Sequence, residues 1–418
     1  MNDITRIKPL HDPSVQSTGM DGTKKEIEEE RASDAFKPLI RFLEIFGSYS
    51  QRQKRGRKYA FTNHFTYCIL VQVLIFVLSA RYLTVFRNDS RQLYKTIGLI
   101  AYLYYYANVT VFSFIYFYSN CKYLQTFLST LNKYNVDYGV SFNISHKRKV
   151  IRRILLIICG LLLIYALIFI WSVLYLELKG LLVTSNFTPF DQSNGITFYI
   201  VTVAFGVLGI LHNGIAISNT VLLLLNTSLL KQEFKNVTRR IRDIINVQQL
   251  DDLESLRLQH ECIVELVKVG NLMFRHIGGM TYVYGIPMVC LTLYGATMRS
   301  LDTVDICALA GVMMVVVIVM FVITFMGAYM CQAAHEPLDD LYQINMSKQS
   351  PQIISQIQIF ISRLTGTNIG INVYGLFVID HSTILMVFGT IVSYAVIVVQ
   401  FSLTPSCQTV SINSTYES

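Results

Sequence analysis

Seven stretches of the chain, at 59–80, 97–118, 154–176, 196–228, 278–298, 304–330 and 381–401, are apolar over lengths that cross a bilayer. A helix rises about 1.5 Å per residue and the hydrocarbon core is about 30 Å thick, so roughly 20 residues suffice. The last stretch begins inside a longer one. From Ile371 to Phe401 charge is almost absent, and those 31 residues as one helix would run about 46 Å, which predicts a break. Asp380 marks it, because Asp-His-Ser-Thr places a side-chain acceptor beside free amide groups, an N-cap pattern, while Gly375 loosens the turn before it. On the helix that follows, Ser382, Gly389, Ser393 and Gln400 fall within about 20° of one line, flanked by Met386 and Val396. Such a stripe either seats a neighbouring helix, since small residues let backbones approach in lipid, or lines a pore. Gln400 favours the pore, because a primary amide near a span's end needs water or a partner.

The polar segments between spans are patterned too. In 34–49, Phe36, Leu39, Ile40, Leu43 and Phe46 share a helical face, with Pro38 in the first turn, and the expectation is a helix along the inner membrane interface. Residues 51–58 then supply five basic side chains in eight, each drawn to anionic lipid by about 1 kcal/mol. Nucleic acid is the other basic-run partner, and a span starting at once argues against it. The fourth span continues as an amphipathic helix over 231–245 (Phe234, Val237, Ile241). After Asp251-Asp252 a second runs through Leu253, Leu256, Ile263, Leu266 and Val267 to Met273 and into span five. Similar helices fit 331–346 and 352–378. Their apolar faces need a cover, either within one subunit or between subunits, and the second is preferred because no other core is visible.

Composition agrees with a polytopic all-α membrane protein: 52% of the 418 residues are hydrophobic and 15% charged. Residues 1–35 are polar, with an acidic run at 26–30 and no apolar core, which predicts a disordered head without a cleavable signal. Of the 35 Lys and Arg residues, 29 fall in one set of alternate connections and 6 in the other. The positive-inside rule therefore puts the amino terminus in the cytosol and the carboxyl terminus outside, the inverse of a G-protein-coupled receptor. Glycosylation is expected at the outer sequons Asn88, Asn186 and Asn413 and not at Asn143, Asn236 and Asn345. The predicted organisation is a cytosolic head (1–35), an amphipathic helix with its basic segment (36–58) and spans one to four (59–230). Cytoplasmic helices (231–277), spans five and six (278–330), anchor helices (331–379), a pore helix (380–402) and an extracellular tail (403–418) complete it.

Candidate chemistry is sparse. The eight cysteines are scattered singly, so neither a disulfide framework nor a metal site is implied, and no cofactor fingerprint occurs. His260-Glu261 begins like a metalloprotease helix, but Val264 stands where the second His is needed, and an enzyme is not expected. Ligand binding has diffuse support in the outer halves of the spans: Tyr105 and Asn108 in span two, Trp171 and Tyr175 in span three, Thr202, His212 and Asn213 in span four, and Tyr294 in span five. Interfacial aromatics commonly form a membrane belt, and His212 with Asn213 fits an inter-helix hydrogen bond as well as a ligand contact. Span six holds only Val, Met, Ile and Phe from Val312 to Val322, a wall unable to match sugar hydroxyls.

Ser393-Tyr394, five apolar residues from Ala395 to Val399, then Gln400-Phe401 resembles the Thr-Tyr, five hydrophobics, Gln-Phe signature closing the last helix of insect gustatory receptors. Tyr374 to Asp380 is similar to that family's Gly-Phe-Phe-x-x-Asp lead-in. Ser393 replaces the usual Thr, and Ala395 sits where the sugar branch carries Glu, which argues against a sugar ligand. The resemblance implies a ligand-gated, non-selective cation channel with a re-entrant helix in 36–58. It also implies a tetramer held by its cytoplasmic helices, as a homotetramer or a heteromer with related receptors, in the plasma membrane of sensory neurons. The expected partners are a small-molecule tastant and membrane lipid, not nucleic acid. The expected pore and gate residues are Asp380, Ser382, Gly389, Ser393, Val396, Gln400 and Phe401. Two other readings stand beside this one: a seven-helix receptor signalling without a pore, and a secondary transporter, which calls for an internal repeat or intramembrane charge pair that the sequence lacks.

Overall fold

The computed structural model describes residues 31–51, 54–55, 58–59, 63–80, 93–178, 195–248, 250–298 and 303–403. Side chains are described throughout these except at 54–55, 58–59, 63, 78–80, 93–109, 169–178, 195–199, 201–202, 205, 295–298, 303–312, 348, 399 and 401–403. The order is α1 (Lys37–Ile45), a two-residue hairpin of β1 (Lys54–Arg55) and β2 (Lys58–Tyr59), α2 (Asn63–Ala80), α3 (Leu93–Tyr138), α4 (Ile144–Leu178) and α5 (Gly195–Val247). Then come α6 (Leu253–Met298), α7 (Thr303–His335), α8 (Pro337–Tyr342), α9 (Pro351–Gly366), a second hairpin of β3 (Asn372–Val373) and β4 (Phe377–Val378), and α10 (His381–Leu403). The described residues are all-α apart from the two hairpins, and among them each of the seven apolar stretches coincides with a long helix, the first of them from Asn63 onward. Among the described residues five helices, within α4, α5, α6, α7 and α10, are long and apolar enough to cross a membrane, and α2 contains a shorter apolar one, His64–Val77.

Several helices overrun any bilayer. The 53 residues of α5 span about 80 Å, more than twice a hydrocarbon core. Past their apolar runs, α3, α5 and α6 continue side by side and pack with α8 and α9, extending the same hydrophobic core. Phe127, Leu131, Phe234, Ile241, Ile263 and Phe360 are all at most 1% exposed there. Burial of each such side chain contributes roughly 1.5–3 kcal/mol. The faces expected to require a partner subunit, including Val237, Leu253, Leu256 and Leu266, are thus covered within the single chain. They give no argument for assembly, because α3 supplies the missing layer: the connection after span two is not a loop but a helix to Tyr138, with Leu124, Phe127, Leu128, Leu131 and Tyr134 buried along one face. Exposed bidentate forks pin the short helices on: Arg242 to Asp340 at 3.1 and 3.0 Å, and Arg363 to Glu261 at 3.0 and 2.6 Å. Being solvated, each fixes orientation more than it adds stability.

Three expectations change. The apolar face of α1 does not lie on the membrane surface, since Phe36, Leu39, Leu43 and Phe46 are buried against the bundle. The helix expected over 331–346 is interrupted at Glu336, because Pro337 has no N–H to continue the ladder and instead starts α8. The one expected over 352–378 stops at Gly366, and Ile369, Ile371 and Val373 are buried at alternate positions leading into the β3–β4 hairpin. Gly375 does more than loosen a helix. Tyr374 (φ 51°) and Gly375 (φ 81°) are both left-handed in a turn closed by the Leu376 amide on the Val373 carbonyl (2.9 Å), and with Leu376 they make the three-residue connection between the paired Val373 and Phe377.

Candidate pore helix and its support

Asp380 ends the hairpin and caps α10. Its Oδ1 accepts from the Thr383 amide (2.9 Å), the Thr383 hydroxyl (2.9 Å) and the Ser382 hydroxyl (2.6 Å), and the Asp380 amide donates back to Thr383 Oγ1 (3.2 Å). This reciprocal arrangement satisfies orphan donors at the helix start. Ser382, then the Thr383 amide and hydroxyl, hold the Asp380 carboxyl below the usual carboxylate range against the opposing effect of burial, so it is charged at neutral pH.

From that cap α10 packs against α6 and α7, with Thr383, Val387 and Val398 buried and the His381 ring edge-on to Tyr329 of α7 at 5.6 Å. The opposite side is open. Ser382, Gly389, Ser393, Val396 and Gln400 are all exposed, and a Cβ built on Gly389 would meet nothing within 4 Å. Among the described residues the small-residue stripe is therefore not a helix-helix contact within the chain, and it is open to other chains, to lipid or to water. Leu385, Phe388, Tyr394 and Ile397 are exposed on its flanks. Position 401 is helical, with no side chain described.

The hairpin feeding α10 is bolted to α6 and α7. Asn271 donates to the Gly370 carbonyl (2.8 Å) and accepts from the Asn372 amide (3.2 Å). A side chain on Gly279 would strike the Tyr374 ring, and one on Gly327 would strike Ile379, so both glycines allow the hairpin's close approach. His335, the last residue of α7, sets one ring nitrogen 2.8 Å from the Cys331 carbonyl and the other 3.1 Å from that of Thr367.

A second polar node fixes the turn after α1. Gly47 (φ 69°) closes the helix, with the Ser48 amide bonded to the Leu43 carbonyl at 2.8 Å. Ser48 is then held from two long helices: Asn120 of α3 donates to its carbonyl (3.1 Å), Asn219 of α5 donates to its hydroxyl (2.8 Å), and Asn120 also reaches Asn219 Oδ1 (2.8 Å). All three are at most 1% exposed. Reading the spans for buried polar groups singled out His212 and Asn213 and missed these; the same cost argument, applied to Asn219, marks the node.

The expected ligand residues fare unevenly. Asn213 donates to the Gly209 carbonyl of its own helix (2.8 Å), a bond within α5 and not between helices. His212, one position earlier, is half-buried, as is Tyr294 on α6. Tyr105, Asn108, Trp171, Tyr175 and Thr202 lie on helices α3 to α5, with side chains outside the described set, and Asn88, Asn186 and Asn413 lie outside the described residues altogether. His260 is a core residue: it is 1% exposed, with ring centroids 5.1 Å from Phe234 and 5.4 Å from Phe360, and its Nε2 is 3.0 Å from the Ala334 carbonyl. Among the described residues no cluster of His, Cys, Asp and Glu forms that could hold a metal.

Long apolar helices continuing into a packed polar half are the build of a polytopic membrane protein. The chain belongs to the 7tm chemosensory receptor family, whose profile matches residues 36–405. Its fold is similar to that of the insect olfactory receptor OR5 from Machilis hrabei. Against the structure of that receptor in complex with eugenol the TM-score is 0.64, and against a second structure of the same receptor it is 0.65. Each comparison has 15% sequence identity and covers 88% of this chain and 97% of the other. No curated protein matches the chain by sequence. The family is one of receptors, not enzymes.

Proposed function

We propose that the protein is a ligand-gated, weakly selective cation channel that serves as a taste receptor in the plasma membrane of sensory neurons. Four copies, or this chain with related subunits, surround a pore lined by α10. The amino terminus is cytosolic and the paired ends of α3, α5 and α6 with α8 and α9 form the cytoplasmic anchor. The observation that carries the reading is the uncovered line of Ser382, Gly389, Ser393 and Gln400 on a helix otherwise built for lipid. The ligand is a small aromatic or apolar tastant held among the outer halves of α3 to α7, as suits the bland wall of span six. Eugenol, bound by the similarly folded receptor, is of that class.

Whole-cell recording from cells expressing this chain alone, screened against sugars and small aromatics, should show cation current with an aromatic and none with sugars. Tags at both ends of unpermeabilised cells should label only the carboxyl terminus; labelling of the amino terminus would remove the channel reading. Asp380→Asn separates charge from capping, because Asn caps about as well as Asp. If four Asp380 carboxylates face the cytosolic mouth, the variant should fold normally and shift the reversal potential in a chloride gradient toward chloride. An unchanged reversal potential would restrict Asp380 to its cap.

A further inference from the structure

We propose that a polyanionic phospholipid, of the phosphorylated inositol class, seats its headgroup in the cleft between α1 and α4. The cleft holds about 370 Å³, within the range of small-molecule sites. Two cation pairs face it, each spaced one helical turn: Lys37 and Arg41 on α1, Arg148 and Arg152 on α4. Asp34 pairs with Lys37 at 3.0 Å and its backbone carbonyl accepts from Arg148 Nε at 3.2 Å, while Arg41 and Arg152 form no ion pair among the described residues. These two guanidinium groups alone offer more positive charge than a headgroup with a single negative charge would balance.

The depth of the cleft argues for a lipid. Its apolar side is made by Phe42 and Ile45 from α1 and by Leu155 and Leu156 from α4. Leu156 is 65% exposed and opens the lipid-facing band that continues through Ile157, Leu161, Leu163 and Leu167 on α4. The four cations thus sit within two turns of the level at which that band starts. A molecule with phosphate beside Arg41 and Arg152 would have its chains running along Ile45 and Leu156. Basic pockets between helices at the cytoplasmic face are suited to such headgroups. This site is separate from the basic run at 51–58, and its leaflet rests on the orientation proposed above.

The test uses the full chain in phosphatidylcholine nanodiscs, which expose both faces, so that binding is scored independently of orientation. A fluorescent short-chain phosphatylinositol bisphosphate is titrated onto the wild type and onto Arg41→Gln/Arg152→Gln. Each cation near the surface is worth roughly a fivefold factor in affinity, so the double variant should bind about twenty- to thirtyfold more weakly. A Lys54→Gln/Arg55→Gln control, which removes two cations of the basic run outside the cleft, should lose clearly less affinity than the Arg41→Gln/Arg152→Gln variant. Equal binding by the Arg41/Arg152 variant overturns the proposal, and so does a loss confined to the control. Inositol phosphate without acyl chains should compete poorly; competition as strong as that of the lipid would make this a soluble-phosphate site and overturn the lipid assignment.

Discussion

Phe401→Ala channels should conduct without ligand, and Gln400→Leu channels should pass less current even when ligand is bound. Gln400 shares the exposed line with Ser393, Gly389 and Ser382, and Phe401 follows it 100° around the helix. Rotation of the end of α10 moves one residue toward the pore line as the other leaves it. A ring of four phenyl groups closes a narrow path by dewetting, and a ring of amides keeps it wet. If each ring in the closed packing contributes even about 1 kcal/mol, well under the 3–5 kcal/mol of a fully buried Phe→Ala, four together bias closure by about 4 kcal/mol. Removing them shifts the closed-to-open ratio by roughly a thousandfold. Ligand achieves the same only through differential affinity for the two packings. Recording with surface labelling decides it: a Phe401→Ala channel at normal surface density that stays shut until ligand arrives would place the gate elsewhere on the α10 line.

Acidification should loosen the polar half of the bundle between about pH 6.5 and pH 4, and His260 should be responsible. Residue 260 lies beyond the apolar run of α6 at 278–298, in the core formed with Phe234 and Phe360. Burial lowers its pKa from 6.5 to about 4, with the nearby His335 adding slightly and the Ala334 carbonyl and Glu261 opposing. In the unfolded chain the imidazole takes a proton near its ordinary value, so between the two values the unfolded state binds more protons and stability falls as pH falls. Above pH 6.5 there is no loss, and at pH 4 the loss approaches about 3 kcal/mol. The Glu261–Arg363 fork acts lower still, because Arg363 holds the Glu261 carboxyl below its usual range and its contribution fades only as pH passes through that lowered value. Thermal melts of the solubilised receptor from pH 7.5 to 4.5 should show Tm declining with acid in the wild type. His260→Leu should start lower, having lost the bond to Ala334, and decline less; parallel curves would acquit His260.

Much of the fold was legible because lipid enforces a simple rule: backbone polar groups must be satisfied internally, so apolar runs become helices. The break at Asp380 was readable for an equally local reason, the Asp-x-x-Thr cap. Two elements escaped. Span length alone makes 119–138 a connection, yet Leu124, Phe127, Leu128, Leu131 and Tyr134 keep a helical period, because the helix continues where the apolar run ends. In 369–378, the end of the helix expected over 352–378, Ile369, Ile371 and Val373 alternate, and a short apolar run does not by itself distinguish the two periods. At the site, the stripe on α10 came from sequence and its exposure from the structure. The Ser48–Asn120–Asn219 node was hidden by distance, its members 72, 99 and 171 residues apart.

The hairpin at 372–378 has a mechanical consequence for α10. With Asn271 gripping the backbone on either side of Ile371, Tyr374 set against Gly279 and Asp380 locking the first turn, the hairpin end of the helix is clamped. A rod held this way takes up torque along its length, so angular displacement is smallest at Ser382 and accumulates over the roughly 27 Å to Gln400. Positions 400 and 401 lie at the end far from the clamp, where a couple exerted by neighbouring helices turns the rod furthest.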